Sequence, residues 1–240
     1  MANFKLVEVN SKHTRNDFLE LPLSLYSDYP NWIRPLDMDI ENVFNPEVNK
    51  HFRHGEAIRW VLYDNGKPVG RIAAFYDKEI AKNSEQPTGG IGFFECINSQ
   101  EAANLMFDTA REWLKSKGME AMDGPINFGD RDRWWGLLVD GDFPPNYCMD
   151  YHLPYYRNLF ENYGFKVYFH QYTYHRLVNS ENVDPVVWEK AERIARNPSY
   201  TITTISKKNL KKFAEDFRTI YNNAWGRYTG VKKITVAHAM

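Results

Sequence analysis

A carboxylate stands inside the most apolar stretch of this sequence. Residues 91–97, IGFFECI, are apolar on both faces, as a buried central strand would be, and Glu95 interrupts them. A carboxylate is costly to bury without a purpose. Burial raises its pKa toward the range in which it can take a proton from a substrate. Strand alternation places Glu95 on one face with Phe93 and Ile97. A salt bridge to Arg71, or to another strand, accounts for the same residue as well.

The next residues admit a second chemistry. Cys96, Ile97, Asn98, Ser99, Gln100, Glu101, Ala102 and Ala103 lead from the strand into a helix that starts near Ser99. A helix start offers unpaired N–H groups and the positive end of the dipole, which suit an anion such as phosphate. Asn98 and Glu101 also have the spacing of a capping box, in which case the helix end satisfies itself. Further on, residues 127–147 form a chemically dense loop. Asp130, Arg131, Asp132 and Arg133 beside Trp134 and Trp135 suit a charged or planar acceptor, or else pair and pack to fix the loop. His51 and His54 lie three apart with no further ligands nearby, which reads as an ordinary surface pair, so no metal is expected. Cys96 and Cys148 have no evident activating base and make no disulfide framework.

The elements that must hold these residues follow from periodicity. Phe4 to Val9 reads as a strand and 14–26 as a helix with Phe18, Leu21, Leu25 and Tyr26 at helical spacing. Residues 56–63 and 68–76 are strands around Asn65-Gly66, a hairpin signal because both residues tolerate positive φ. Residues 78–90 read as a loop. Ala102, Leu105, Met106, Ala110, Trp113 and Leu114 form one helical stripe, stopped by Gly118. A short strand at 119–122 follows, so strand, helix and strand imply a crossover between parallel strands. A helix at 154–163 ends at Gly164, residues 165–177 are strand-like and aromatic, and Asp184-Pro185 opens another helix.

Composition excludes several classes. The 240 residues are 43% hydrophobic and 15% aromatic, enough for a sizeable core. With 30 basic against 31 acidic residues, the basic excess of a nucleic-acid protein is missing. Lys207, Lys208, Lys211 and Lys212 read as a solvated helix face. The first residues lack the apolar centre of a signal peptide, and no apolar run approaches the ~18–20 residues of a membrane span. The expectation is a soluble cytoplasmic protein with no nucleic-acid or membrane partner. Residues 200–225 echo 4–32, with Phe213 and Ile220-Tyr221 matching Phe18 and Leu25-Tyr26. This predicts a domain over 1–178, a linker helix over 179–199 and the start of an incomplete second copy over 200–240. An unfinished strand–helix unit has an edge to hide, so a homo-oligomer through 200–240 is one expectation.

At Tyr155–Phe165, YYRNLFENYGF resembles the last helix-to-strand junction of the GNAT superfamily of acyl-CoA-dependent N-acyltransferases. GKPVGRIAAF resembles that family's hairpin, and IGFFECINSQEAANLMFDTAREWLKSKG resembles its central strand, phosphate loop and helix. The order is maintained over residues 1–178, and the G-R-I-A-A, G-F-F-E and G-P-x-N-F segments are similar to a two-copy bacterial subgroup. The resemblance implies an α+β fold, a central mixed sheet flanked by helices. It also implies acetyl-CoA or another acyl-CoA as co-substrate, and direct attack by a small-molecule amine. On it, Glu95 is the base and the Cys96 and Ile97 N–H groups hold the thioester carbonyl. The backbone of Ser99 to Ala103 holds the diphosphate, and Arg133, Trp134 and Trp135 line the acceptor site. Two departures stand out. The family's Q/R-x-x-G-x-G/A loop falls on Ile97–Ala102, where only Ala102 agrees. The family's proton-donating tyrosine falls on Phe160, leaving Tyr156 as the acid and Tyr163 as the other nearby hydroxyl. A non-catalytic ligand-binding or interaction domain is the alternative these departures support.

Overall fold

A computed structural model describes residues 3–82, 85–179, 181–228, 231 and 233–240. The chain divides into a unit over Met1–Tyr172 and a unit over Thr173–Met240.

The first unit is built on a five-stranded sheet in sequential order. Its elements are β1 (Phe4–Glu8), α1 (Lys12–Leu25), α2 (Asp37–Val43), β2 (Gly55–Asp64), β3 (Lys67–Asp77), α3 (Lys78–Lys82), β4 (Thr88–Cys96), α4 (Gln100–Ser116), β5 (Ala121–Asp123) and α5 (Tyr156–Tyr163). β1 to β4 are antiparallel, and β4 pairs with β5 in parallel, as the crossover predicts. Asn65 and Gly66 both take positive φ, 50° and 83°, and turn β2 into β3 as expected. The predicted loop over 78–90 is shorter, because α3 takes its start and β4 begins at Thr88.

Alternation along β3 serves two cores. Ile72, Ala74 and Tyr76 join Met106, Phe107, Leu114 and Phe160 beneath α4 and α5. Phe75, with Val61 and Phe93, packs with Phe18 and Ile40 of the first two helices. The α4 stripe is turned slightly from the predicted one: Ala103 and Phe107 are buried, while Leu105 and Trp113 stay half-buried. Gly118 and Gly164, at φ 83° and 116°, end α4 and α5 as the sequence indicates.

Three expectations are corrected. Residues 165–177 form no strand, since a strand needs an edge to pair with and β5 at that side is three residues long. The N-cap of α4 is Ser99, whose Oγ accepts the Ala102 N–H, so the Asn98–Glu101 box is not formed. His51 is not a surface histidine. It is buried, and its Nδ1 lies 2.9 Å from Asp77 Oδ2, while His54 is exposed.

The second unit holds α6 (Pro185–Ala195), capped by the Asp184 side chain, α7 (Leu210–Ala224) and the short α8 (Val236–Ala239). Ala214 is its one buried residue among the described residues, and 200–206 are not in a strand. Phe217, Ile220 and Trp225 are exposed. No helix among the described residues is long and apolar enough to cross a membrane.

Candidate active site at the parting of two strands

β4 and β5 stay together for three residue pairs, Thr88 with Ala121 through Gly90 with Asp123, and one more contact follows from the Ile126 N–H to the Ile91 carbonyl at 2.8 Å. Two local features then separate them. Phe93 takes φ 51° within a bulge against β3, so the alternation of the strand shifts at that point. Gly92 lets the departing chain come close: a Cβ there would lie 2.0 Å from the Ile126 carbonyl oxygen. Beyond them the outer edge of β4 is left to side chains.

Tyrosines fill that edge. The Cys96 N–H donates to the Tyr156 hydroxyl at 2.9 Å, and the Tyr155 hydroxyl donates to the Cys96 carbonyl at 2.7 Å. The Ile97 N–H is committed to the Val69 carbonyl at 3.0 Å. Neither amide assigned to a thioester carbonyl is therefore open. The Cys96 amide becomes so only when the Tyr156 hydroxyl moves.

Glu95 lies behind this edge, buried and surrounded by donors. Tyr156 donates to Oε2 at 2.7 Å, and Arg71 Nη2 approaches Oε1 at 3.4 Å. The Tyr26 hydroxyl lies 2.9 Å from Oε2 and 2.8 Å from the Tyr151 carbonyl. The single Tyr26 hydroxyl proton is shared between these two acceptors. Burial raises the Glu95 carboxyl above its usual range, with Arg71 and the two tyrosines opposing. Arg71 also donates to the Phe18 carbonyl at 2.6 Å and lies over the Phe18 ring. The structural pair and the buried carboxylate foreseen in the sequence are one cluster.

The cluster faces a cavity of about 30 Å³, room for roughly one water. Its apolar lining includes Pro22, Trp32, Ile40, Phe93 and Trp134, and its polar lining is Arg71, Glu95, Asp150, Tyr151 and His152. Lost hydration, together with Glu95, raises the half-buried Asp150 carboxyl to about 8. Burial drives His152 down to about 3, and its Nδ1 accepts the Leu138 N–H at 3.0 Å, so the neutral ring carries its hydrogen on Nε2. Asp150 and His152 were missed in the sequence because they sit in a polar loop with no periodic signal. Of the three predicted acceptor contacts, Trp134 reaches the cavity. Arg133 is exposed beside Asp132, and Trp135 lies under Arg131.

The start of α4 is occupied in part. The Gln100 amide donates to the Leu159 carbonyl and receives Asn162, which fastens α4 to α5. An open groove beside it, about 720 Å³, is lined by Asn3, Phe4, Gln100, Glu101, Asn104, Leu105 and Asp108, with two carboxylates and no lysine or arginine.

No family model matches the chain. It is 28% identical over 229 residues to Protein YghO of Escherichia coli (strain K12), covering 94% of this chain and 57% of that protein. It is 32% identical over 154 residues to a bacterial ceramide synthase of Caulobacter vibrioides (strain NA1000 / CB15N), covering 62% of this chain and 39% of that protein. The chain thus spans about half the length, or less, of these curated relatives. The solved structures to which it is similar include the aminoglycoside N-acetyltransferase AAC(6')-Iy in complex with CoA, at TM-score 0.42 and 13% identity, covering 73% of this chain and 96% of that one. A predicted acetyltransferase with acetyl-CoA from Clostridium acetobutylicum is similar at TM-score 0.43 and 11% identity, with the same two coverages.

Proposed function

We propose that this chain is an acyl-CoA-dependent N-acyltransferase of the GNAT type, joining an acyl group to an amine by direct attack. The observation that carries the reading is the Glu95 cluster at the parting of β4 and β5, facing a small cavity lined by both apolar and polar side chains. Amide formation from a thioester needs a neutral amine, support for the oxyanion and a proton for the departing thiolate. Glu95 and Asp150 are the carboxyl groups in the cavity lining that can take the amine's proton. Tyr156 stands at the strand edge with its proton firmly held, since burial raises its hydroxyl well above the ordinary value. It is the group assigned to protonate the thiolate, with Glu95 behind it. The thioester carbonyl would take the Cys96 N–H as the Tyr156 hydroxyl turns away.

The relative named a ceramide synthase supports a narrower acceptor. A ceramide is an amide of a fatty acid with a long-chain amino alcohol, and the cavity of about 30 Å³ takes only the reacting amino group of such an acceptor. The deciding experiment offers acetyl-CoA and palmitoyl-CoA to the 240-residue chain with a panel of amines, long-chain amino alcohols included. Free thiol and the amide product are both measured. Thiol release matched by an amide supports the reading, and no release above background with any pair rejects it.

A second reading, a non-catalytic domain that binds an acyl-CoA or another ligand, is favoured by one observation. Tyr155 and Tyr156 already occupy both main-chain groups of Cys96. Calorimetric binding of palmitoyl-CoA without thiol release would select it.

A further inference from the structure

The cavity holds two carboxyl groups, and their surroundings differ. Glu95 is engaged on both oxygens: Tyr26 and Tyr156 lie on one, Arg71 approaches the other, and the residue is buried. A proton it received would compete with these donors. His152 is no better placed as a base, because its Nδ1 lone pair is taken by the Leu138 amide and its Nε2 carries the hydrogen. The Tyr151 hydroxyl is spent on Asp142 at 2.5 Å. Asp150 remains. Its carboxyl has no hydrogen bond or ion pair from any described residue, it lines the same cavity as the Glu95–Arg71 pair, and the residue retains partial exposure to solvent.

Resting on the acyltransferase reading above, we infer that Asp150, rather than Glu95, is the catalytic base that takes the proton from the incoming ammonium group. The ammonium gives one proton to the Asp150 carboxylate and becomes a neutral amine. The amine nitrogen forms the new C–N bond as the thioester carbonyl opens to an oxyanion. Collapse breaks the C–S bond, and the second nitrogen proton leaves for the thiolate by way of Tyr156, giving the amide and free CoA thiol. Asp150 then returns its proton to water through its exposed side. The charged and titratable groups around it are Glu95 and Arg71 from the sheet, Tyr26 after α1, Tyr156 of α5, and Tyr151 and His152 beside it in sequence. Its carboxyl, raised to about 8, is matched to an amine and to neutral working conditions.

The test compares Asp150→Asn and Asp150→Glu with the unaltered chain, using palmitoyl-CoA and two acceptors of equal length. One is a primary alkylamine, charged at neutral pH. The other is an O-alkylhydroxylamine, whose nitrogen is already neutral there. With the alkylamine, Asp150→Asn should lose about 100- to 10,000-fold in rate and the rising limb near pH 8, with Asp150→Glu recovering part. With the hydroxylamine, the loss should shrink to less than about tenfold, because no proton needs removing. Equal losses with both acceptors, or none with either, overturn the inference while leaving the activity standing. An unaltered chain that turns over neither acceptor with palmitoyl-CoA or acetyl-CoA, and no other pair of the panel above, overturns the acyltransferase reading and this inference together.

Discussion

The hydroxyl of Tyr156 receives the Cys96 N–H at 2.9 Å and gives its own proton to Glu95 at 2.7 Å, so one side chain closes the edge of β4 and holds the buried carboxyl behind it. Tyr156→Phe leaves the Cys96 amide and one Glu95 oxygen short of a partner at once. Leaving a buried polar group unpaired costs about 1–3 kcal/mol. Urea denaturation should show a loss of that size. Turnover should fall about 100-fold with palmitoyl-CoA affinity unchanged or tighter, since the vacated amide is open to a carbonyl. The stability loss alone, with unchanged kcat, would assign Tyr156 to packing.

His152 sets an acid limb. Its ring is held near 3 in the fold, against roughly 6.5 when unfolded. Above about pH 6.5 both states are neutral and nothing is lost. Below it the unfolded chain takes a proton that the buried ring refuses, so stability falls by up to about 1.4 kcal/mol per pH unit. His152→Asn keeps an acceptor for the Leu138 amide and does not titrate. Measured between about pH 7 and about pH 5, the variant should lose stability more gradually by close to one proton. Matching slopes would remove His152 from the account.

Asp150 acts with the opposite sign. Its carboxyl is raised to about 8 in the fold, against roughly 3.9 unfolded. The stability of its neutral form is fully present below about pH 4 and is lost as pH rises toward about 8. Asp150→Asn should therefore be more stable than the unaltered chain at about pH 8, and the gap should narrow on acidification. A more stable but slower variant is the usual sign of a group kept for chemistry rather than for folding. Thermal melts across this range check it, and a variant less stable at every pH would contradict it.

The start of α4 separates capping from ligand binding. Ser99→Ala should cost about 0.5–2 kcal/mol, because its Oγ accepts the Ala102 N–H. Asn98→Ala should cost far less. Glu101→Gln removes an acidic group from the first turn, worth about 0.3–1 kcal/mol to the helix dipole. It should nevertheless tighten CoA binding if the diphosphate lies there, and calorimetry with CoA reads this directly. Unchanged affinity would place the diphosphate elsewhere.

Local signals in the sequence were reliable where local chemistry decides. Asn65-Gly66, the stops at Gly118 and Gly164, and the partnership of Glu95 with Arg71 follow from turn geometry, left-handed backbone and the cost of a buried charge. What was hidden depends on distant chain. Tyr26 reads as the last residue of a helical stripe, yet it caps α1 and turns its hydroxyl to Glu95. Ser99 and Asn98 are equally good caps one residue apart, and only the helix phase chooses between them. His51 shows no sequence sign of the Asp77 that buries it. The aromatic run after Gly164 has strand composition, but composition does not supply a neighbouring edge.

Both main-chain groups of Cys96 point to the same side, and in this state two phenols answer them, one accepting and one donating. A visitor that evicts both phenols must offer an acceptor and a donor together, as a secondary amide does. That selectivity is written in the direction of the backbone, so exchanging the thiol for another side chain would not erase it. At this position proline alone, lacking the N–H, would remove the donor.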